Sequence, residues 1–121
     1  MTDSDEKKGP RLECRFYRTV AGSEPVRDWL RTLDPSVCTE IGADIQLVQW
    51  RWPIGKPLVD GLGEGLFEVR TSVGGNIYRV LFSLDGSAMV LLHGFMKKTK
   101  KTPKTDLELA RTRKAEVERE S

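Results

Sequence analysis

The sequence predicts an α+β fold in which helices pack on an antiparallel sheet. Two helical segments lie near the N-terminus, three strand-like runs follow them, and short turns join those runs into a meander. The chain has 121 residues, which suits one domain. Residues 1–11 are polar and lack periodicity, so we expect a disordered start, and we expect residues 12–121 to form a single domain.

The first half of this domain contains one predicted strand and two predicted helices. Apolar and polar residues alternate over 12–18, as in a strand with one buried face. An amphipathic helix is predicted by apolar residues at the i, i+3, i+4 and i+7 positions: Val26, Trp29, Leu30 and Leu33. A second helix is predicted from Pro35 to Trp52, since Pro53 ends its apolar periodicity. Residues 55–65, which contain four glycines, are interpreted as a loop.

The second half contains the three strand-like runs and a further helix. Gly74-Gly75 and Asp85-Gly86 both match two-residue hairpin turns. With that register, Arg70 lies opposite Arg79, and Tyr78 lies opposite His93. After Pro103, apolar residues recur at helical spacing within a mostly charged segment, which predicts a C-terminal helix.

The two faces of the predicted sheet differ in character, because side chains alternate along each strand. One face is predicted to be the core face, with Phe67, Val69, Tyr78, Val80, Phe82, Met89, Leu91, His93 and Phe95. We therefore interpret His93 as a hydrogen-bonded core histidine, an interpretation that a one-residue bulge would reverse. The other face is predicted to carry Glu68, Arg70, Arg79, Leu81, Val90 and Leu92.

The paired arginines are the first candidate functional feature. Like charges directly opposite one another in a sheet are destabilising, so the Arg70–Arg79 pair indicates a use for the concentrated charge. A guanidinium group also suits planar, two-point contact with a phosphate. The structural alternative is that Glu68, or an acid near the C-terminus, bridges the two arginines.

A lysine cluster follows the third strand-like run. Its members are Lys97, Lys98, Lys100, Lys101 and Lys104, and no acidic residue interrupts them. The net charge of the chain is only +2, so the basic patch is local. This distribution predicts a specific polyanionic partner such as RNA, rather than indiscriminate binding.

Several function classes are disfavoured by the sequence. No apolar run has the roughly 20 residues that a membrane span needs. The acidic, polar N-terminus is unlike a secretory signal. Cys14 and Cys38 lack metal-ligand spacing, which predicts free thiols in a reducing cytoplasm and no metal site.

Four blocks of the sequence resemble the RelE/ParE toxin superfamily, and within it the phage-derived, HigB-like branch: GLFEVR, IYRVLF, LLHGFMKKTKKTP and LELARTRK. The resemblance covers roughly residues 12–118. It implies a RelE-like antiparallel sheet with two N-terminal helices on one face and a C-terminal helix. It also implies a cytoplasmic toxin of a type II toxin–antitoxin system, a ribosome-dependent mRNA endonuclease that inhibits translation without a metal or other cofactor.

The same resemblance implies roles for individual residues. Arg79 matches the arginine that holds the phosphate. Lys98 matches the basic residue after the last strand, which protonates the leaving oxygen, and Arg70 matches a supporting cation. Glu68 stands where RelE has a catalytic lysine, so the general base is Glu68, a lysine of the cluster, or none. The residues expected to bind RNA are Lys97, Lys100, Lys101 and Lys104.

The implied partners are mRNA, the ribosome and a cognate helix-turn-helix antitoxin. Two alternatives from other classes stay open. One is a ParE-like gyrase inhibitor, which would not require the lysine cluster. The other is a non-catalytic RNA- or ribosome-binding module, which Glu68 in place of a lysine indicates.

Overall fold

The computed structural model describes residues 9–98 and 101–120. The strands are β1 (Glu13–Phe16), β2 (Val59–Gly63), β3 (Leu66–Val73), β4 (Asn76–Asp85) and β5 (Ala88–Lys97). The helices are α1 (Pro25–Arg31), α2 (Pro35–Arg51) and α3 (Lys104–Glu120). Both N-terminal helices begin with a proline, which fits the first helical turn because that turn has no use for its backbone N–H.

The strands form one sheet in the order β1-β5-β4-β3-β2. Strands β2 to β5 are an antiparallel meander, and β1 adds to the edge of β5 in parallel. The predicted α+β fold, with two N-terminal helices and a C-terminal helix, is confirmed. The parallel β1 makes the sheet mixed, since the chain leaves β1 through both helices before the meander begins.

The interpretation of residues 55–65 as a loop is wrong for β2. This strand pairs with β3 through Val59↔Val69 and Asp60↔Glu68, and its register shifts between Gly61 and Gly63. The glycines and the register shift hide the alternation by which a strand is recognised in a sequence. Strand β2 brings a carboxylate beside the candidate site.

Helices α1 and α2 cover one face of the sheet. Their core residues are Val26, Val37, Ile41, Ile45 and Val48, which pack against Val69, Val80, Phe82, Met89 and Leu91. The ring of Trp29 lies directly over Gly94 in β5, where an added Cβ would come within 2.4 Å of it. This close approach of α1 to the sheet therefore requires a glycine.

The predicted register is confirmed in the first hairpin and wrong in the second. Val73 pairs with Asn76 around Gly74-Gly75, both at positive φ, and Arg70 pairs with Arg79 as expected. In the second hairpin the turn is Gly86-Ser87, because Asp85 pairs with Ala88. A bulge follows, in which the pairs Leu81↔His93 and Phe82↔Leu91 leave one extra residue in β5.

The bulge moves His93 and Phe95 to the opposite face of the sheet from the one predicted. Phe95 packs in a second core under α3, with Tyr17, Leu66, Leu81, Val90, Leu92 and Ala110. Tyr78 pairs with Met96 rather than with His93. The sheet is thus covered on both faces, by α1 and α2 on one side and by α3 on the other.

The predicted disorder of residues 1–11 falls mainly on residues 1–8, which lie outside the described part of the chain. Arg11, the last residue of the predicted range 1–11, donates its backbone N–H to the carbonyl of Gln49 at 2.8 Å. The disordered start and the single domain over 12–121 both stay predictions.

Candidate functional site

The candidate site lies on the α3 face of the sheet, where polar side chains line up across neighbouring strands. One row runs from Asp60 through Glu68 and Leu81 to His93. Arg70 and Arg79 begin the next row, in which Phe95 is the neighbour on β5. The predicted face for Glu68 and the two arginines is therefore the one observed, and α3 packs across it.

Glu68 bridges the two arginines. Its Oε2 accepts from Arg70 Nε at 2.6 Å and lies 3.8 Å from Arg79 NH1. Both Glu68 and Arg79 have no exposed side-chain surface, whereas Arg70 keeps 28%. The structural alternative named in the sequence analysis, in which Glu68 bridges the two arginines, is therefore the arrangement that forms. Arg79, which the resemblance matches to the arginine that holds the phosphate, is therefore closed to solvent.

Two further side chains complete this ion-pair cluster, and sequence reasoning missed both. Thr102 donates its hydroxyl to Glu68 Oε1 at 2.6 Å, so each oxygen of the buried carboxylate carries a hydrogen bond. Asp60 accepts from Arg70 NH2 at 3.0 Å. Asp60 was missed because its strand was read as a loop. Thr102 had no local signal, since its partner lies 34 residues away.

A cavity of about 420 Å³ opens beside the cluster. Its lining residues are Asp60, Leu62, Arg70, Lys101, Thr102 and Leu107. Of the predicted site residues, this cavity brings together Arg70 and Lys101, with Glu68 and Arg79 behind Arg70. The wall is mixed: two leucines face the same space as two cations and a carboxylate.

The other lysines of the predicted cluster are spread over the end of β5 and the start of α3. Lys97 pairs with Ile77, two residues before Arg79, so it lies on the arginine face of the sheet. Lys98 follows the last residue of that strand and is exposed. Lys104 begins α3 and lies 4.0 Å from Glu108. Lys100 lies outside the described residues.

His93 contacts α3 instead of the α1–α2 core. Its Nε2 lies 2.6 Å from Asp106 Oδ1, and its ring stacks on Phe95 with centroids 5.3 Å apart. The interpretation of His93 as hydrogen-bonded is therefore confirmed, while its predicted place on the core face beside Tyr78 is wrong. This pair fixes the first turn of α3 over the sheet, next to Leu107 of the cavity.

The far end of α3 is fixed near β1. Tyr17 donates its hydroxyl to Glu116, and the Arg113 guanidinium lies 5.1 Å from the centre of the Tyr17 ring. The hydrogen bond to Glu116, with burial, raises the pKa of Tyr17 above its ordinary value. Arg113 also donates to the Leu92 carbonyl at 2.8 Å. With both ends attached, α3 holds its first turn beside the cavity.

Within residues 9–98 and 101–120, no set of three or more His, Cys, Asp or Glu side chains is arranged to hold a metal ion. No helix in the same ranges is long and apolar enough to cross a membrane.

The fold is that of a small α+β protein with cations on the sheet face that α3 covers. The family model for phage-derived Gp49-like proteins (DUF891) matches residues 28–115. Because the match covers most of the chain, the protein belongs to this Gp49-like family, which is of the RelE toxin–antitoxin type. A comparison with curated proteins gave no match.

Proposed function

We propose that the protein is the toxin of a type II toxin–antitoxin system and acts in the cytoplasm as a ribosome-dependent mRNA endonuclease of the HigB-like kind. The observation that carries this proposal is the cavity in which Arg70 and Lys101 face the same space. Two cations beside an open cavity can hold an RNA phosphodiester. Membership of this family indicates an antitoxin partner. We propose that the antitoxin is a helix-turn-helix protein and that the targets are mRNA and the ribosome.

The proposed reaction is attack of the ribose 2′-OH on the adjacent phosphate, with departure of the 5′-oxygen of the next nucleotide. The transition state carries more negative charge than the substrate, so fixed cations lower its free energy. Arg70 is the contacting arginine, because it keeps exposed surface in the cavity wall. Arg79 acts through Glu68 as a positioning residue, since both side chains are buried behind Arg70.

The proton-transfer groups follow from the same geometry. Lys101 lines the cavity and is better placed than Lys98 to protonate the leaving oxygen. Lys98, Lys97 and Lys104 add positive charge along the path of the RNA. Glu68 can serve as the general base only if it gives up the hydrogen bond from Thr102 or the one from Arg70.

A second function, a non-catalytic RNA- or ribosome-binding module, is favoured by one observation. Both oxygens of Glu68 are engaged, and Arg79 is enclosed with it, so part of the proposed machinery is held in an internal ion pair. Such a module would use Arg70 and the lysines for binding without cleaving the RNA. The ParE-like gyrase inhibitor has no comparable observation in its favour.

Mapping of RNA ends after induction in bacterial cells separates these functions. The chain and its Lys101→Gln variant are expressed without antitoxin, and 5′ ends are mapped by primer extension. We expect cuts within translated codons that fall at least about tenfold in Lys101→Gln. Arg31→Gln, a charge change on α1 across the sheet, should cut like the parent. Growth arrest with intact mRNA would support the binding module instead, and breaks in DNA would support the gyrase inhibitor.

A further inference from the structure

The cavity wall has an apolar part that phosphate binding does not explain. Leu62 from β2 and Leu107 from α3 line it, and both pack against the core beneath α3. The polar part, formed by Arg70, Lys101 and Asp60, lines the same space. A volume of about 420 Å³ is within the range of roughly 300–1,000 Å³ that small-molecule sites occupy. The cavity can therefore accept an apolar ring together with a charged group.

We propose that this cavity binds one nucleotide of single-stranded RNA, with the base against Leu62 and Leu107 and the phosphodiester at Arg70 and Lys101. This inference rests on RNA being the substrate, and it names the part of the RNA that the site holds. A base in a duplex is stacked and paired, so only an unpaired nucleotide can place its face against the leucines. Burial of that face from water supplies affinity without an aromatic residue.

Asp60 is a positioning residue in this arrangement. Its carboxylate accepts a hydrogen bond from Arg70 NH2 at 3.0 Å, and the Glu68 carboxylate accepts one from Arg70 Nε at 2.6 Å. Two acceptors on different nitrogens fix the plane of the guanidinium group, which determines the direction from which it meets a phosphate. The two carboxylates also offset part of the local positive charge. A phosphodiester, with one negative charge, therefore fits this site better than a dianionic phosphate monoester.

The test uses two RNA tetramers with 2′-O-methyl ribose, which cannot be cleaved by attack of the 2′-oxygen. One carries four bases, and the other is abasic with the same backbone. Binding to the full chain is measured by fluorescence anisotropy at several salt concentrations. We expect the base-containing tetramer to bind about five times more tightly than the abasic one, the factor that burial of a small apolar area supplies.

Matched leucine variants of α3 locate the base. Leu107→Ala should weaken binding of the base-containing tetramer about fivefold and leave the abasic tetramer unchanged. Leu109→Ala is the control, because Leu109 lies on the same helix but is 38% exposed and outside the cavity lining. Equal effects of the two variants would overturn the proposal, as would equal affinity of the parent for both tetramers.

Two further measurements do not depend on the folding of Leu107→Ala: binding by a lysine variant, and methyl signals of the parent protein. Lys101→Gln should weaken both tetramers and reduce the slope of log affinity against log salt by about 0.7, the value of one phosphate contact on a single strand. In the parent protein, the ¹³C methyl signals of Leu62 and Leu107 should shift with the base-containing tetramer and not with the abasic one. Unchanged methyl signals would contradict the proposal even if Leu107→Ala fails to fold.

The outcomes also distinguish this inference from the proposed nuclease activity. Base-dependent binding without mRNA cuts in cells would leave the nucleotide pocket standing and remove the nuclease. Cuts that depend on Lys101, combined with base-independent binding, would overturn the pocket and leave the nuclease standing.

Discussion

Replacement of Glu68 by glutamine is the perturbation whose effect the structure defines most directly. The carboxylate has no exposed surface and contacts Arg70, Arg79 and the Thr102 hydroxyl. Glu68→Gln keeps the size of the side chain and removes its charge. The guanidinium of Arg79, equally buried, then loses the negative charge that faces it.

The expected cost is a loss of about 3–5 kcal/mol in the free energy of unfolding, the range found when one member of a buried ion pair is removed. A domain of this size has a total stability of roughly 5–15 kcal/mol, so the variant should unfold at clearly lower urea concentration. Glu108→Gln is the control, because that carboxylate is 62% exposed and 4.0 Å from Lys104. Its effect should stay below about 1 kcal/mol.

Urea titration monitored by tryptophan fluorescence measures the free energy of unfolding of Glu68→Gln and of Glu108→Gln. Trp52 reports on the core, since its ring lies 5.1 Å from Phe67 and 5.7 Å from Phe82 between centroids. A loss below about 1 kcal/mol in Glu68→Gln would refute the reasoning, because it would mean that the carboxylate does not compensate a buried charge. The double variant Glu68→Gln/Arg79→Met should lose at least about 1 kcal/mol less than the two single variants together.

Three further predictions concern other parts of the fold. Gly94→Ala should lower the free energy of unfolding by about 1–3 kcal/mol, because its Cβ would lie 2.4 Å from the Trp29 ring. Burial raises the pKa of the Cys14 thiol to about 11, so its reaction with an aromatic disulfide at pH 8 should be slow and accelerate about tenfold per pH unit. The pKa of Tyr17 is raised from 10.0 by its hydrogen bond to Glu116, so the contribution of Tyr17 to the free energy of unfolding should be constant below that pH and fall above it.

Each of these predictions has its own control. Gly42→Ala places a methyl group in open space on α2, and it should be neutral or stabilising by up to about 1 kcal/mol; a loss equal to that of Gly94→Ala would exclude a steric cause. Cys14→Ser should remove the slow phase of thiol modification and keep the phase that belongs to Cys38. In Tyr17→Phe, the alkaline loss of stability should shrink, and a loss of unchanged size would mean that other groups cause it.

The local parts of the fold were predictable from the sequence. Gly74-Gly75 forces a tight hairpin, because both glycines adopt a positive φ that other residues avoid, and this turn alone places Arg70 opposite Arg79. Apolar spacing predicted all three helices, since one face of each must be buried. The family resemblance read from four sequence blocks is supported at the coarser level of the toxin–antitoxin type by the match over residues 28–115.

The site was only partly predictable, because its composition depends on pairings between distant segments. The bulge that brings His93 to Asp106 adds one residue to β5 and has no signature in composition. Asp60 reaches Arg70 only because a glycine-rich segment pairs as an edge strand. Thr102, two residues before α3, donates to Glu68 only because α3 packs on the same face of the sheet.

The sequence by itself determined that two arginines stand side by side on a twisted hairpin and that lysines follow it, since turn chemistry and two-residue alternation act over a few residues. Only the tertiary structure decided which of those charges face solvent. Packing of β2 and of the segment before α3 brought the Asp60 carboxylate to Arg70 and the Thr102 hydroxyl to Glu68. In the same arrangement Arg79 is buried and Arg70 lies in a cavity wall. Electrostatic energy depends on the positions of all neighbouring charges, and these are fixed by long-range packing.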